Sequence, residues 1–431
     1  MSESKPTDWN PQNRIPRENG QLVSGDLARQ VPYPEPAEGL GGTLESEDSR
    51  PSLPPGSVQI IKRLKQVMKD STIQWCDDTV NPVMGCKGCE LWPSSVQHIS
   101  NRLDAVFKKE MGECSVGEYT DTIKSVLGNC EVDQIARIHK DIARCLARAL
   151  HKDGDTALIG AIEQEFAVIF SCYAGASTAQ MDGHSTGFPT AFDRVTLFPG
   201  RMAEAAGRKD LTGTSRAKYP WRNGLPRLIF VSDMGDALST VVPFEYLKSE
   251  IIDVVTSPKG QRHLWLWLTK RDLRMVEFDG WLAAMGVPWP DNLVAMTTIT
   301  SNETLHRART IAKVRAKLKG LSIEPLWEKV TVPLDGINWV IVGGGSGDGA
   351  KPFDQGWAYD LRDQCGRAGV AFFMKQLGAE PMGGGKRIQL KDAHGGEWDE
   401  WPRGLRIREF PTGFHRTQAV SLETAKSEPS K

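Results

Sequence analysis

From residue 194 onward, short apolar runs alternate with longer stretches whose apolar residues recur every three to four positions. The runs fall at 195–198, 227–231, 263–268, 293–298, 318–323, 339–342 and 370–374, and the stretches at 244–255, 273–285, 303–318 and 355–369. Short continuous runs bounded by turn residues predict buried strands, and three-to-four spacing predicts helices. Strands alternating with helices predict a parallel sheet with right-handed crossovers. A further run at 72–76 makes eight strands, so the expected fold is α/β, a (β/α) TIM-like barrel, complete or partial. The link after Pro325 is too short for a full helix, which keeps the partial form open. Ahead of this rhythm lies a helical insertion at 93–171, carrying Ile135, Ile138, Ile142, Leu146 and Leu150, then Leu158, Ile162, Phe166 and Ile169, at helical spacing. It delivers Cys172 at its C-terminal end.

Outside the barrel region, 57–411, the pattern fades. Residues 1–56 form an arm rich in Pro, Glu, Ser and Gly, and the tail at 412–431 reads similarly. Such segments bury too little apolar surface to offset ordering entropy, so both ends are expected to be disordered. The net charge of −1 gives no overall basic footprint for nucleic acid. No run is long enough to span a bilayer, and the start MSESKPTDWNPQ has no apolar signal core, so no membrane and a cytoplasmic location are expected. Eight cysteines in 431 residues are no disulfide scaffold, and in a reducing compartment they more often mean metal or catalysis. Cys130 and Cys145, in the insertion, read as small apolar filler.

Candidate chemistry gathers at the strand ends. In a parallel barrel all C-terminal ends face one mouth, so the polar residues after each run should converge. These include Asp233, Thr269, Lys270, Glu324, the glycines Gly343 and Gly344 with Ser346, and Lys375. The candidates for catalysis are Glu324, Lys375 and Asp233; those for cofactor binding are Thr269, Lys270, Gly343, Gly344 and Ser346. The glycines serve equally as a tight turn or as a close ligand approach. Trp265 and Trp267 alternate on one run and should pack one face. The metal-ligand candidates are Cys86, Cys89 and Cys172, in Gly85-Cys86-Lys87-Gly88-Cys89 and Cys172-Tyr173-Ala174-Gly175. A 4Fe-4S cluster held by three cysteines keeps one iron open for a ligand. Two alternatives stand beside it. One is a structural zinc site in which Cys76 completes a set of four cysteines, in a module binding nucleic acid or a partner protein. The other is a metal-free barrel hydrolase.

The stretch from Ile73 to Cys86, with the later segments Phe230–Met234, Leu268–Arg271, Leu321–Leu326, Trp339–Gly344 and Phe373–Gln376, resembles an uncharacterised phage and bacterial family, the three-Cys-motif proteins. That family resembles radical S-adenosylmethionine (SAM) enzymes. The resemblance implies a 4Fe-4S cluster on Cys86, Cys89 and Cys172, SAM bound at the open iron, and its cleavage to a 5′-deoxyadenosyl radical acting on an unknown substrate. It also implies a partner protein encoded nearby and leaves nucleic acid open as substrate. The chain departs from the family in its insertion before Cys172 and in reading Gly-Gly-Gly-Ser where relatives tend to read Gly-Gly-Glu-Ser.

Overall fold

A computed structural model describes residues 73–414, except 113–117, 151, 153, 182–188, 190 and 348. The arm expected at 1–56 and residues 415–431 lie outside the described residues. Phe414, placed by the sequence reading in the tail, is buried against Trp339 and Phe410.

Seven strands form one all-parallel sheet: β1 (Asp78–Val80), β2 (Arg227–Val231), β3 (His263–Thr269), β4 (Leu293–Thr298), β5 (Lys319–Ile323), β6 (Trp339–Gly343) and β7 (Ala371–Gln376). Each pairs with the next in chain order, and β1 and β7 are the edges. The sheet is thus a curled half-barrel, not the closed eight-stranded barrel. Two expected strands are different. Of the run expected at 72–76, residues 73–76 are irregular, residue 72 lies outside the described residues, and the strand starts at Asp78. In 195–198 only Thr196–Leu197 is extended, and it pairs antiparallel with Val83–Met84. At the β7 edge, the amide of Met374 donates to Ile407 O (2.8 Å) and that of Glu409 to Phe372 O (3.0 Å). The chain at 407–409 thereby covers the open edge.

Strand alternation sorts side chains into two cores. Ile229, Val231, Trp265, Trp267, Ala295, Val340 and Val342 pack on the helix-covered face. Leu228, Phe230, Leu264, Leu266, Val294, Met296, Trp339, Ile341 and Phe373 fill the concave side with Trp75 and Cys76. Trp265 and Trp267 do share one face, as their spacing predicts. The covering helices include α6 (Asp272–Ala284), α7 (His306–Ile311) and α8 (Gln355–Ala368). The helix expected at 303–318 ends early because Arg315 is anchored to Asp279, through its amide (3.0 Å) and its guanidinium (3.0 Å).

The insertion folds as α1 (Val96–Met111), α2 (Glu118–Leu127), α3 (Val132–Ala149) and α4 (Thr156–Ile169), followed by α5 (Tyr173–Met181). Ser95 caps α1 by accepting from His98 N, and Asp155 caps α4 by accepting from Ala157 N and Leu158 N. These helices bury their own core, including Leu103, Phe107, Ile135, Ile142, Leu146, Ile162 and Phe166. Ile138 departs from the expected stripe: α3 kinks there and its side chain is 46% exposed. Cys130 packs beside this core, but Cys145 is exposed and is not filler.

Candidate functional site

The loop after β1 is pinned residue by residue. Asn81 Oδ1 accepts from Met234 N (2.9 Å) and its Nδ2 donates to Asp233 (2.6 Å). Gly85 lies against Gly235, where a Cβ on Gly235 would meet Gly85 O at 2.7 Å. Only glycine permits that approach. Cys86 N donates to Phe192 O (2.7 Å), and Cys89 and Trp92 exchange main-chain bonds (2.9 and 3.2 Å). Glu90 receives a two-pronged bond from Arg307 of α7 (2.7 and 2.9 Å). Cys172 N then donates to Leu91 O (2.9 Å), which joins the end of the insertion to this loop. Cys86, Cys89 and Cys172 consequently line one cavity of about 1530 Å³, together with residues from the C-terminal ends of the strands.

The surroundings of the sulfurs are donor-rich. Leu91 N donates to Cys89 Sγ (3.4 Å), and Arg271 Nη2 lies 3.5 Å from Cys86 Sγ. Arg271 Nε is buried with no acceptor among the described residues. Burial pushes all three thiols up, Cys89 to about 11. Burial alone would pull the Lys270 ammonium down, but Cys89, Cys172, Glu90 and Asp236 more than offset it and hold it above its usual value. That rise is realised only when the thiols ionise, as metal ligation requires. For Glu90, burial is outweighed by Arg307 and Lys270, and its carboxyl sits below the usual range.

A cubane cluster spreads its ligands over separate irons, so its cysteines must surround a volume and not a point. Three thiols lining one cavity with two adjacent cations, Lys270 and Arg271, suit an anionic group. Among the described residues no group of three His, Cys, Asp or Glu side chains is placed to hold a metal ion, which bears on the cluster and on the zinc site alike. Cys76, the fourth thiol of that alternative, belongs to the concave core with Trp75 and Phe230.

The strand-end candidates divide by what already occupies them. Asp233 lines the cavity. Burial holds its carboxyl above the usual range against the opposing bonds from Asn81, Thr79 and Tyr173. Tyr173 OH donates to Asp233 main-chain O (2.6 Å). Glu324, across a cis bond from Pro325, pairs with Lys375 (2.5 Å), and Gln376 Nε2 donates to the same carboxylate (3.1 Å). Both Glu324 and Lys375 line the cavity. Thr269 and Lys270 line it too, though Thr269 Oγ1 is engaged with both oxygens of Asp236 (2.8 and 2.9 Å). Ser346 lines the cavity, whereas Gly343 and Gly344 are buried behind it. A Cβ on Gly344 would meet Leu377 O at 2.5 Å, so that glycine serves chain packing.

Two features, Ser232 and the Arg307–Glu90 fork, had no place among the residues named from the sequence, and a third, Arg271, was read there only as a basic residue at the mouth. Ser232, 4% exposed, lines the cavity with φ +69°, and its Oγ is buried with no partner among the described residues. A non-glycine residue held in that region marks a place where the surroundings impose strain. Arg271 touches Cys86, and the Arg307–Glu90 fork steadies the cysteine loop. A positive φ and a contact spanning 217 positions leave no local signal in a sequence.

One family model, described as a protein of unknown function (DUF5131), matches residues 169–402. The matched span contains Cys172 and strands β2 to β7, and begins after Cys86 and Cys89. No curated protein and no solved structure matches the chain.

Proposed function

The chain belongs to the DUF5131 family of unknown function, and from that premise we propose that it is an enzyme of the radical SAM type, holding a 4Fe-4S cluster on Cys86, Cys89 and Cys172. The observation that carries this reading is that three thiols, from stretches far apart in the chain, line one cavity together with Lys270 and Arg271. When bound and reduced by an external one-electron donor, the cluster supplies the electron that splits the SAM sulfonium into methionine and a 5′-deoxyadenosyl radical. Lys270 and Arg271 offset the negative charge that three thiolates bring into a buried wall. Arg307 fixes the backbone between the thiols through Glu90. Trp92 packs beside Cys86 and Cys172 and limits water there. Asp233, whose burial favours the protonated carboxyl, is suited to donate a hydrogen bond to a ligand. The Glu324–Lys375 pair places a carboxylate and an ammonium together on the cavity lining, where they can hold a polar group of a ligand.

The test is to reconstitute the chain with iron and sulfide under anaerobic conditions, add dithionite and SAM, and assay for 5′-deoxyadenosine. The expected result is its formation by the wild type and not by Cys86→Ala, Cys89→Ala or Cys172→Ala. An iron-loaded wild type that forms none contradicts the proposal.

A further inference from the structure

We infer that the cavity wall at the seam between β1 and β7 takes a nucleotide unit, a planar base bearing a phosphate, as the group presented to the reaction. This deepens the reading above and rests on the cavity being the active site. The thiol loop is tied to the regions following β2, β3 and β4, through Gly235, Arg271 and Arg307. The seam is built differently. Trp221 and Trp398 stand within 9° of parallel, ring centroids 6.4 Å apart, and Tyr219 meets Trp221 edge-on at 5.4 Å. Arg408 lies over both indoles, 4.0 Å from Trp221 and 5.1 Å from Trp398. All four residues line the cavity, as does Lys218, which is exposed and 5.1 Å above the Tyr219 ring.

At this seam Arg408 has no direct counter-ion among the described residues, although Asp392 and Glu397 also line the cavity. Arg408 donates through Nε and Nη2 to the main-chain oxygens of Met374 and Lys375 (3.2 Å each). Among the described residues no carboxylate lies within ion-pair distance of it. Behind it Arg222, 1% exposed, stacks on Tyr219 at 3.8 Å and is matched by Asp77 (3.3 Å). Burial first, and Arg222 second, pull the Arg408 guanidinium down to about 10. A part-buried guanidinium whose acceptors are main-chain oxygens is costly to hold beside a second one unless an anion joins it. A mere staple across the seam would explain the stack but not the unmatched Arg408. Flat faces combined with unpaired cations are the means by which proteins hold single nucleotides and unpaired strands. The cavity, about 1530 Å³, also exceeds the roughly 300–1,000 Å³ of an ordinary small-molecule site. It has room for a cofactor and a substrate group together.

The test uses the full chain purified in air without iron. Single-stranded oligoadenylates of about ten nucleotides, in ribose and deoxyribose forms, and AMP are titrated against tryptophan fluorescence over a salt series, with inorganic phosphate as blank. Saturable quenching is expected. Trp398→Ala and Arg408→Gln should weaken binding by roughly tenfold or more. Lys218→Gln, a surface change that spares the fold, should lower the slope of log affinity against log salt by somewhat under one. Tighter binding of oligomers identifies a strand as the source; equal binding of AMP identifies the free nucleotide. Absence of saturable binding by all of them, or binding unchanged in the three variants, overturns the inference. Because binding is read without iron, its failure with 5′-deoxyadenosine formation intact rejects only the substrate class.

Discussion

Ser232 concentrates the tension between stability and function in one residue. Its backbone at φ +69° suits glycine, and its buried hydroxyl has no partner among the described residues. Ser232→Gly should therefore raise stability by roughly 1 kcal/mol while lowering product formation, read as a higher urea midpoint beside a slower assay. If both fall together, the hydroxyl has a structural role. Arg307 gives the opposite expectation. Its side chain is 10% and that of Glu90 20% exposed, so Arg307→Gln should cost up to roughly 3 kcal/mol, and it should weaken iron retention by about 10–100-fold. Retention equal to wild type would show that the loop stands without the fork. His263 is fully buried, and burial lowers its pKa. The unfolded chain then takes up a proton near pH 6.5 that the folded chain refuses. Stability from this group is complete above that pH and is lost as pH falls toward the folded value. Urea midpoints at about pH 7.5 and about pH 5.5, on either side of that value, should differ less in His263→Gln than in wild type; an equal difference refutes the assignment. At this scale the sequence singled out the three cysteines, Asp233, Glu324 and Lys375, and all six line the cavity. It could not disclose which candidates were already engaged: Glu324 is paired with Lys375, Thr269 is tied to Asp236, and Gly344 is packed against Leu377.

The legible elements were those buried on both faces. Runs such as Leu228–Val231 and Leu264–Trp267 have no polar side to confuse with a surface, and their strands fall where expected. β1 escaped because Asp78-Thr79-Val80 is short and polar, its aspartate held by Arg227 and Arg208. The run at 195–198 misled because apolar content alone does not say which sheet a strand joins; Leu197 is 39% exposed. The insertion was legible as helices, but its kink at Ile138 was not. Since it buries its own core, Phe166→Ala should cost about 3–5 kcal/mol. Ile138→Ala, on the exposed side of the kink, should stay within about 0.5 kcal/mol. Equal losses in urea unfolding would contradict this assignment of inner and outer faces.

For the whole molecule, a half-barrel leaves a seam, and the chain at 407–409 with Trp221 and Trp398 closes over it. The alternation of strands and helices announced a barrel, but closure depends on pairing between the first and last strands, which no local pattern encodes. The meeting of Cys86 and Cys89 with Cys172 is likewise a property of the whole fold, fixed by the Cys172–Leu91 main-chain bond. That this meeting grips an iron–sulfur cluster, as proposed, is tested most directly by anaerobic purification, with iron and acid-labile sulfide counted per chain in the wild type and in the combined Cys86→Ala, Cys89→Ala, Cys172→Ala variant. About four of each are expected in the wild type, and neither in a variant that retains its circular dichroism. A colourless wild type without sulfide after reconstitution, or a variant that keeps its iron, would contradict it.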